Sequence, residues 1–320
     1  MSTGVFDELV PDILGEPYLA ETIGLPPDDE GAVVATLVLR RAATPTGRAV
    51  LHVHGFADYF FHTAYAEWWT DRGYDFYALD LRKYGRSLRP HQTPNYVTDL
   101  RDYFPDLDAA WQRATERDGH DHVVISAHST GGLITALWAN QRKPTLAGMV
   151  LNSPWLDMQG GLLVRTLGTT VLKRIGARRP RREIPRRVDG LYNRGLHAEH
   201  EGEWDFNLEW KPIESWPVYA GWLRAIRVGH DELHRGLEVG CPVLVLSSGE
   251  TRRPKEMGDD VHGYDIVLDV PQIRRWAVAL GRHITYVAID GARHDVVLSL
   301  PEARAQVYAE LDRWVTAYVD

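Results

Sequence analysis

The chain has 320 residues, too long for one minimal module and short for two full-sized domains, so one large core carrying an insertion fits best. Apolar residues make up 44% and charged residues 25%, which excludes a disordered chain, and the formal net charge of −8 argues against a dedicated nucleic-acid binder, which needs a basic face. The single cysteine, Cys241, cannot form an intramolecular disulfide. Acidic residues near the N-terminus do not suit a secretory signal, and no stretch approaches the ~18 consecutive apolar residues of a membrane span. The expectation is a soluble, cytoplasmic protein without an integral membrane segment.

In chain order, short apolar runs predict strands over Val33–Leu39, Ala49–Val53, Phe76–Leu79, His122–Ser126, Met149–Leu151, Val243–Ser247 and Ile284–Ile289. Continuous runs of Val, Ile and Leu mark strands buried on both faces of a mostly parallel sheet. Helical patterns fall between them, over Ala64–Arg72, Asp99–Arg117, Gly131–Gln141, Pro271–Leu280 and Pro301–Tyr318. The last is preceded by Ser299, which with Glu302 reads as a capping box. This alternation means α/β architecture.

The alternation breaks between Pro154 and Gly240. That stretch holds Trp155, Trp204, Trp210, Trp216 and Trp222 and a basic run, Arg165–Arg187, with nine Lys or Arg against Glu183 alone. It reads as a helical insertion at the carboxyl edge of the sheet. The expected division is core over 1–153, insertion over 154–240, and core again over 241–320. The Trp residues either pack a small subdomain or wall a binding site, and the basic run is a solvated face unless it attracts anions.

The chemistry concentrates at Ala127-His128-Ser129-Thr130-Gly131-Gly132, where an apolar strand runs directly into a helix. This is a nucleophile elbow, a variant of G-x-S-x-G with Ala127 at the first glycine position. The turn is so tight that only Gly or Ala fits two residues either side of the serine, and it lifts Oγ above the sheet beside a helix N-terminus. An earlier strand ends in His54-Gly55-Phe56. Backbone N–H groups of Phe56 and Thr130 are therefore the candidate oxyanion hole. Of the 14 histidines, His294 stands apart, in a loop directly after the strand Ile284–Ile289, where ligands collect in open α/β sheets. His52 with His54, and His197 with His200, lack companion ligands, so neither pair reads as a metal site and no cofactor is expected. The acid that orients His294 must lie between the strand Val243–Ser247 and the histidine. Glu250, Asp259, Asp260, Asp265 and Asp269 qualify. Asp265 is preferred, because Asp269 stands at the expected N-cap of the next helix, where backbone N–H groups would occupy it.

These motifs resemble the serine α/β-hydrolases, within them the monoacylglycerol lipase and lysophospholipase-like branch, over roughly Val33 to Tyr318. His54-Gly55 is similar to the family's oxyanion loop. Asp80-Leu-Arg-Lys-Tyr-Gly-Arg-Ser87 resembles its D-x-R-G-x-G-x-S turn, with Lys83 in the first glycine position. The elbow resembles G-H-S-M-G-G, Asp265-Ile-Val-Leu-Asp269 an acid-bearing D-x-x-x-D stretch, and Gly291-Ala-Arg-His294 a G-A-x-H. Ser248–Tyr264 stands as an insertion between the strand and the acid. The resemblance implies an α/β-hydrolase fold with a helical cap, and ester hydrolysis through an acyl-enzyme on Ser129, His294 and Asp265. Trp155 and Trp222 would wall the site of a small-molecule acyl ester. Thioester or peptide hydrolysis on the same triad, and an inactive binding protein, are the alternatives; a serine nucleophile argues against epoxide hydrolase and dehalogenase chemistry.

Overall fold

The computed structural model describes residues 8–159, 175–185 and 189–320. Nine strands form one sheet: β1 (Leu9–Pro11), β2 (Leu19–Asp28), β3 (Gly31–Arg40), β4 (Arg48–Val53), β5 (Tyr74–Asp80), β6 (His122–His128), β7 (Gly148–Asn152), β8 (Val243–Ser248) and β9 (Ile284–Ile289). Their order is β1-β2-β3-β5-β4-β6-β7-β8-β9. From β5 onward every neighbouring pair is parallel, whereas β1, β2 and β3 pair antiparallel among themselves and β3 joins β5 antiparallel.

All seven strands expected from apolar runs are present. The two additional ones, β1 and β2, have a different physical character. All of β1 is exposed, and β2 buries Ala20, Glu21 and Ile23 but is partly or fully exposed from Gly24 on, where it includes Pro26 and Pro27. An edge hairpin solvated on one side lacks the continuous apolar run of a doubly covered strand.

Both faces of the sheet are covered, as the neighbours along each strand require. Val50 and Val124 face α1 (Thr63–Thr70) and the C-terminal helix Pro301–Tyr318, in one core cluster with Trp69, Leu311 and Trp314. Leu51 and Ile125 face the opposite cluster, with Leu107, Leu133 and Trp138 of α2 (Phe104–Gln112) and α3 (Thr130–Arg142). The helix expected over Asp99–Arg117 is three consecutive pieces. A 3₁₀ turn at Leu100–Tyr103, capped by Asp99 accepting from the Arg101 N–H at 2.9 Å, leads into α2, and a wider π turn follows at Arg113–Arg117.

Between β7 and β8 the described residues form α4 (Leu191–Arg194), α5 (Ala220–Leu233) and isolated bridges. Helix α5 buries Trp222, Leu223, Ile226 and Leu233 in the same core cluster as α3. A Cβ at Gly229 would come within 2.8 Å of Leu100 Cδ1, so α5 is seated directly on the core. Arg165, Lys173, Arg174, Arg186 and Arg187 of the basic run lie outside the described residues. Arg181 of that run pairs within the chain, with Asp29 at 2.8 Å and Glu30 at 2.7 Å, on the β2–β3 turn. Further on come α6 (Asp259–Gly263), α7 (Val270–Trp276) and α8 (Pro301–Tyr318). The capping box expected at α8 does not form. Leu300 holds the N-cap position, and the Ser299 hydroxyl instead accepts the buried N–H of Arg293 at 3.0 Å. No described helix is long and apolar enough to cross a membrane.

Candidate active site

Ser129 stands between β6 and α3 with φ 53° and ψ −118°, a conformation that L-residues rarely adopt. The crowding that imposes it is measurable. A Cβ at Gly131 would lie 2.3 Å from the His54 carbonyl oxygen and 2.7 Å from that of Val53; one at Gly132 would lie 2.7 Å from Pro154 Cβ. The Ser129 N–H donates to the Asn152 carbonyl at 3.0 Å, and the Trp155 N–H donates to the Ser129 carbonyl at 2.9 Å. Two neighbouring strand ends therefore clamp the turn.

Three side chains from three strand ends meet here. His294 Nε2 is 3.1 Å from Ser129 Oγ, and His294 Nδ1 is 2.9 Å from Asp265 Oδ2, with all three residues buried. The tautomer that serves both contacts has Nδ1–H donating to the carboxylate and Nε2 accepting from the serine hydroxyl. Asp265 Oδ1 accepts the N–H groups of Val267 at 2.8 Å and Leu268 at 2.7 Å. Burial raises the pKa of this carboxyl. The adjacent imidazole and the two backbone donors outweigh it, and Asp265 titrates below the usual carboxylate value.

Asp265 reaches this position because the preceding segment loops out and returns. Its N–H donates to the Glu250 carbonyl at 3.1 Å, and it bridges Thr251 in parallel, immediately past the end of β8. Ser248–Tyr264 is thus an excursion that delivers Asp265 back to the strand end. Asp269 stands at the N-cap of α7, but its carboxylate makes no cap bond; Arg253 meets it at 3.3 Å. The expectation that backbone N–H groups occupy Asp269 is corrected: its carboxylate caps no N–H of α7 and pairs instead with the Arg253 guanidinium. Glu250 is exposed beside Arg252, and Asp259 and Asp260 are exposed at the start of α6.

Thr130 opens α3, where a backbone N–H has no intrahelical acceptor. Phe56 lies in the turn after β4, its ring 4.3 Å from that of Trp222. A Cβ at Gly55 would sit 3.0 Å from Ser129 Cβ, so this turn approaches Ser129 closely. The turn after β5 braces it from behind. Asp80 accepts the Phe60 N–H at 3.0 Å and the Arg86 N–H at 3.0 Å. Gly85 has a positive φ and no room for a Cβ beside Tyr59. Lys83 also has positive φ, where glycine would be unstrained, and its ammonium is buried against Asp28 and Glu30 at 2.6 Å each.

A cavity of about 580 Å³ opens over Ser129 and His294. Phe56, Trp155, Trp222, Leu223 and Val218 line part of it, and Asp58, Tyr192, Asn193 and Lys211 another part. Trp155 and Trp222 lie 6.0 Å apart. The other three tryptophans of the segment pack elsewhere: Trp204 donates to the Leu298 carbonyl, Trp210 meets Tyr59 edge-on, and Trp216 donates to the Trp210 carbonyl.

A buried polar network that sequence reasoning missed underlies the site. Lys211 Nζ is 2.8 Å from Asp58 Oδ1, while Asp58 Oδ2 faces His128 Nδ1 at 3.3 Å. Asp295 Oδ2 is 3.0 Å from His62 Nε2, and its Oδ1 accepts from Asn152 at 2.6 Å. Burial drives the pKa of Asp58 upward, and the Lys211 charge overrides it and holds the group well below its usual value. Asp58, His128 and Asp295 are the one cluster of metal-ligand type among the described residues, and Lys211 supplies it with a cation from within the chain. The histidine pairs considered from sequence have other partners. His54 contacts the Gly55 carbonyl and the Leu81 N–H, His52 contacts Ser126, and His197 contacts the Phe206 carbonyl and the Glu199 N–H. The positions of His128 and Asp295, adjoining Ser129 and His294, were the available signal; nothing local marks Lys211, 153 residues from Asp58.

Comparison with known proteins places this geometry in context. The model of a family described as serine aminopeptidase, S33, matches residues 44–250. The phospholipase YtpA of Bacillus subtilis (strain 168) is 30% identical over 114 residues, 34% of this chain and 41% of that protein. A protein of Escherichia coli (strain K12), YnbC, is 32% identical over 80 residues, 25% of this chain and 13% of that protein. The chain thus spans less than half the length of either relative. Among solved structures, a monoacylglycerol lipase of Paleococcus ferrophilus superposes with a TM-score of 0.64 at 18% identity, over 88% of this chain and 99% of that one. A soluble variant of the Saccharomyces cerevisiae monoglyceride lipase, in complex with a substrate analogue, gives 0.66 at 15% identity, over 99% and 98%. At such identities these likenesses establish the fold.

Proposed function

The chain belongs to the S33 serine aminopeptidase family of α/β-hydrolases, and from that premise we propose that it cleaves carboxylic esters through an acyl-enzyme on Ser129. The observation that carries this reading is the continuous hydrogen-bonded line Ser129 Oγ, His294, Asp265, at 3.1 and 2.9 Å. His294 takes the hydroxyl proton as Ser129 Oγ attacks the carbonyl carbon, and Asp265 holds the imidazole in the required tautomer. The N–H groups of Thr130 and Phe56 receive the oxyanion, and the strand-end clamp on Ser129 keeps Oγ in place without reorganisation. His294 then protonates the leaving oxygen, and a water, deprotonated by the same ring, releases the acid.

The cavity supports an apolar acyl group on a polar alcohol. A leaving oxygen must face His294, whose ring neighbours are His128 at 4.9 Å and Tyr192 at 5.7 Å. Asp58 and Lys211, which line the cavity beside Tyr192 and Asn193, make that side polar, as a hydroxyl-bearing leaving group requires. Phe56, Trp155 and Trp222 offer the apolar wall for the acyl chain. In this reading the described residues between 154 and 240 form the cap over the site. An acylglycerol or lysophospholipid answers this description. The family's description favours, as a second reading, an amide substrate on the same residues.

The test is turnover of p-nitrophenyl esters beside aminoacyl p-nitroanilides, by the wild type and by Ser129→Ala. Ester turnover lost in the variant supports the reading. Turnover of anilides alone would favour the peptidase, and ester turnover within tenfold of wild type in Ser129→Ala would remove Ser129 from the mechanism.

A further inference from the structure

We infer that Arg293 is a positioning residue that ties the loop carrying His294 to the seated cap, an inference that rests on reading Ser129 and His294 as the reacting pair. Arg293 directly precedes the histidine and is 2% exposed. Its Nη1 donates to the Gly195 carbonyl, at the end of α4, at 2.8 Å. Its Nη2 donates to His262 Nδ1, on α6, at 3.2 Å. One guanidinium therefore grips the cap and the Ser248–Tyr264 excursion together. These two elements also touch each other: a Cβ at Gly195 would come within 2.7 Å of Val261 Cγ1.

The arrangement is costly as pure architecture. Among the described residues, no carboxylate lies within ion-pair distance of Arg293 and its Nε has no hydrogen-bond partner. A buried cation with no carboxylate in contact, only Glu203 and Asp295 further off, is costly to a fold, and an apolar side chain of similar volume would be the better filler. What the guanidinium supplies is a rigid planar fork that spans two acceptors, which neither an apolar chain nor an ammonium reproduces. The rest of the loop is fastened to the core: Ala292 N–H to the Ile289 carbonyl, Arg293 N–H to Ser299 Oγ, and Asp295 to His62 and Asn152. Arg293 is the member that faces the cap. Tyr192, on the same short helix as the grip, packs 5.7 Å from the His294 ring and lines the cavity. A displaced α4 would thus open the cavity and withdraw an anchor of the base in one movement, and the excursion gains a role: it seats the helix that Arg293 holds.

The experiment compares Arg293→Met and Arg293→Lys with wild type in ester turnover, melting temperature and hydrogen exchange of residues 290–296. Because a misplacement of about 1 Å can cost about 10²-fold, Arg293→Met should lower kcat by at least ~10-fold with KM changed less than ~3-fold. Its melting temperature should be unchanged or higher, since a buried charge with no carboxylate in contact is gone, and exchange in the loop should quicken. Arg293→Lys, which still reaches one acceptor, should recover part of kcat; if the Met variant does not fold, a Lys variant with wild-type kcat and loop exchange overturns the inference. So does a folded Met variant with wild-type kcat, or one whose loss of kcat only follows a fall in melting temperature. Absence of ester turnover in the wild type would instead sink the reading of Ser129, while loop exchange still reports on Arg293.

Discussion

The Ser248 hydroxyl accepts the backbone N–H of Asp265 at 3.2 Å, across 17 residues of chain. A carboxylate that sequence distance places well past β8 is thereby held at the strand's end, facing His294. Asp269, four residues on, has left the site and meets Arg253.

This separation predicts opposite outcomes for two similar variants. Asp265→Asn should lower kcat by about 10⁴-fold, because the imidazole loses the partner that fixes its tautomer. Asp269→Asn breaks a partly exposed ion pair with Arg253, worth about 0–1 kcal/mol, away from His294, and should keep turnover within a few-fold. Measurement of kcat and melting temperature for both variants checks this. Turnover lost in Asp269→Asn and kept in Asp265→Asn would reverse the assignment.

The cavity walls predict a chain-length signature. In wild type kcat/KM should rise from acetate toward octanoate, with ~0.8 kcal/mol available per CH₂ fully buried. Trp155 is half-buried, so Trp155→Ala should flatten that rise without unfolding the protein. A slope equal to wild type in the variant would show that the acyl chain lies elsewhere.

The elbow predicts a steric failure. A methyl at Gly131 would overlap two backbone carbonyls, which cannot swing aside as a flexible side chain would. Gly131→Ala should cost at least 1–3 kcal/mol, as overpacking does, and thermal denaturation should register a lower melting point. Gly119→Ala is no neutral control, because φ there is +78°; Gly263→Ala, with nothing within 4 Å of a new Cβ, serves better. Equal melting points for Gly131→Ala and Gly263→Ala would contradict the packing described.

Glu30 predicts a pH window. Burial raises its pKa, but hydrogen bonds from Lys83, Thr93 and Arg181 outweigh this and lower it from 4.5 to about 2. A carboxylate depressed in the folded state stabilises fully above its unfolded pKa, and that contribution disappears as pH falls through the folded value. The melting-temperature gap between wild type and Glu30→Gln should therefore be constant above about pH 5 and shrink toward pH 2. A gap that is unchanged or widens on acidification would contradict the Lys83–Glu30–Arg181 contacts.

The sequence revealed what local chemistry decides. β3 through β9 stood out because each holds a short run dominated by apolar residues, and β2 did not because Glu21, Thr22, Pro26 and Pro27 break its pattern. Ser129 and His294 were legible because the elbow and the loop after β9 are each written in consecutive residues. Asp265 was one of five candidates, since the excursion that brings it back is closed by hydrogen bonds between residues far apart in sequence. Lys211 on Asp58 and Arg293 on Gly195 belong to the same class, pairings that exist only once the segment between β7 and β8 has folded against the core.

The most direct test of the account is to react the folded protein with a fluorophosphonate and map the adduct by mass spectrometry. An adduct on Ser129, absent from Ser129→Ala and formed far more slowly in His294→Ala, is the predicted result. A folded wild-type protein that remains unlabelled, or carries its adduct on another residue, would contradict it.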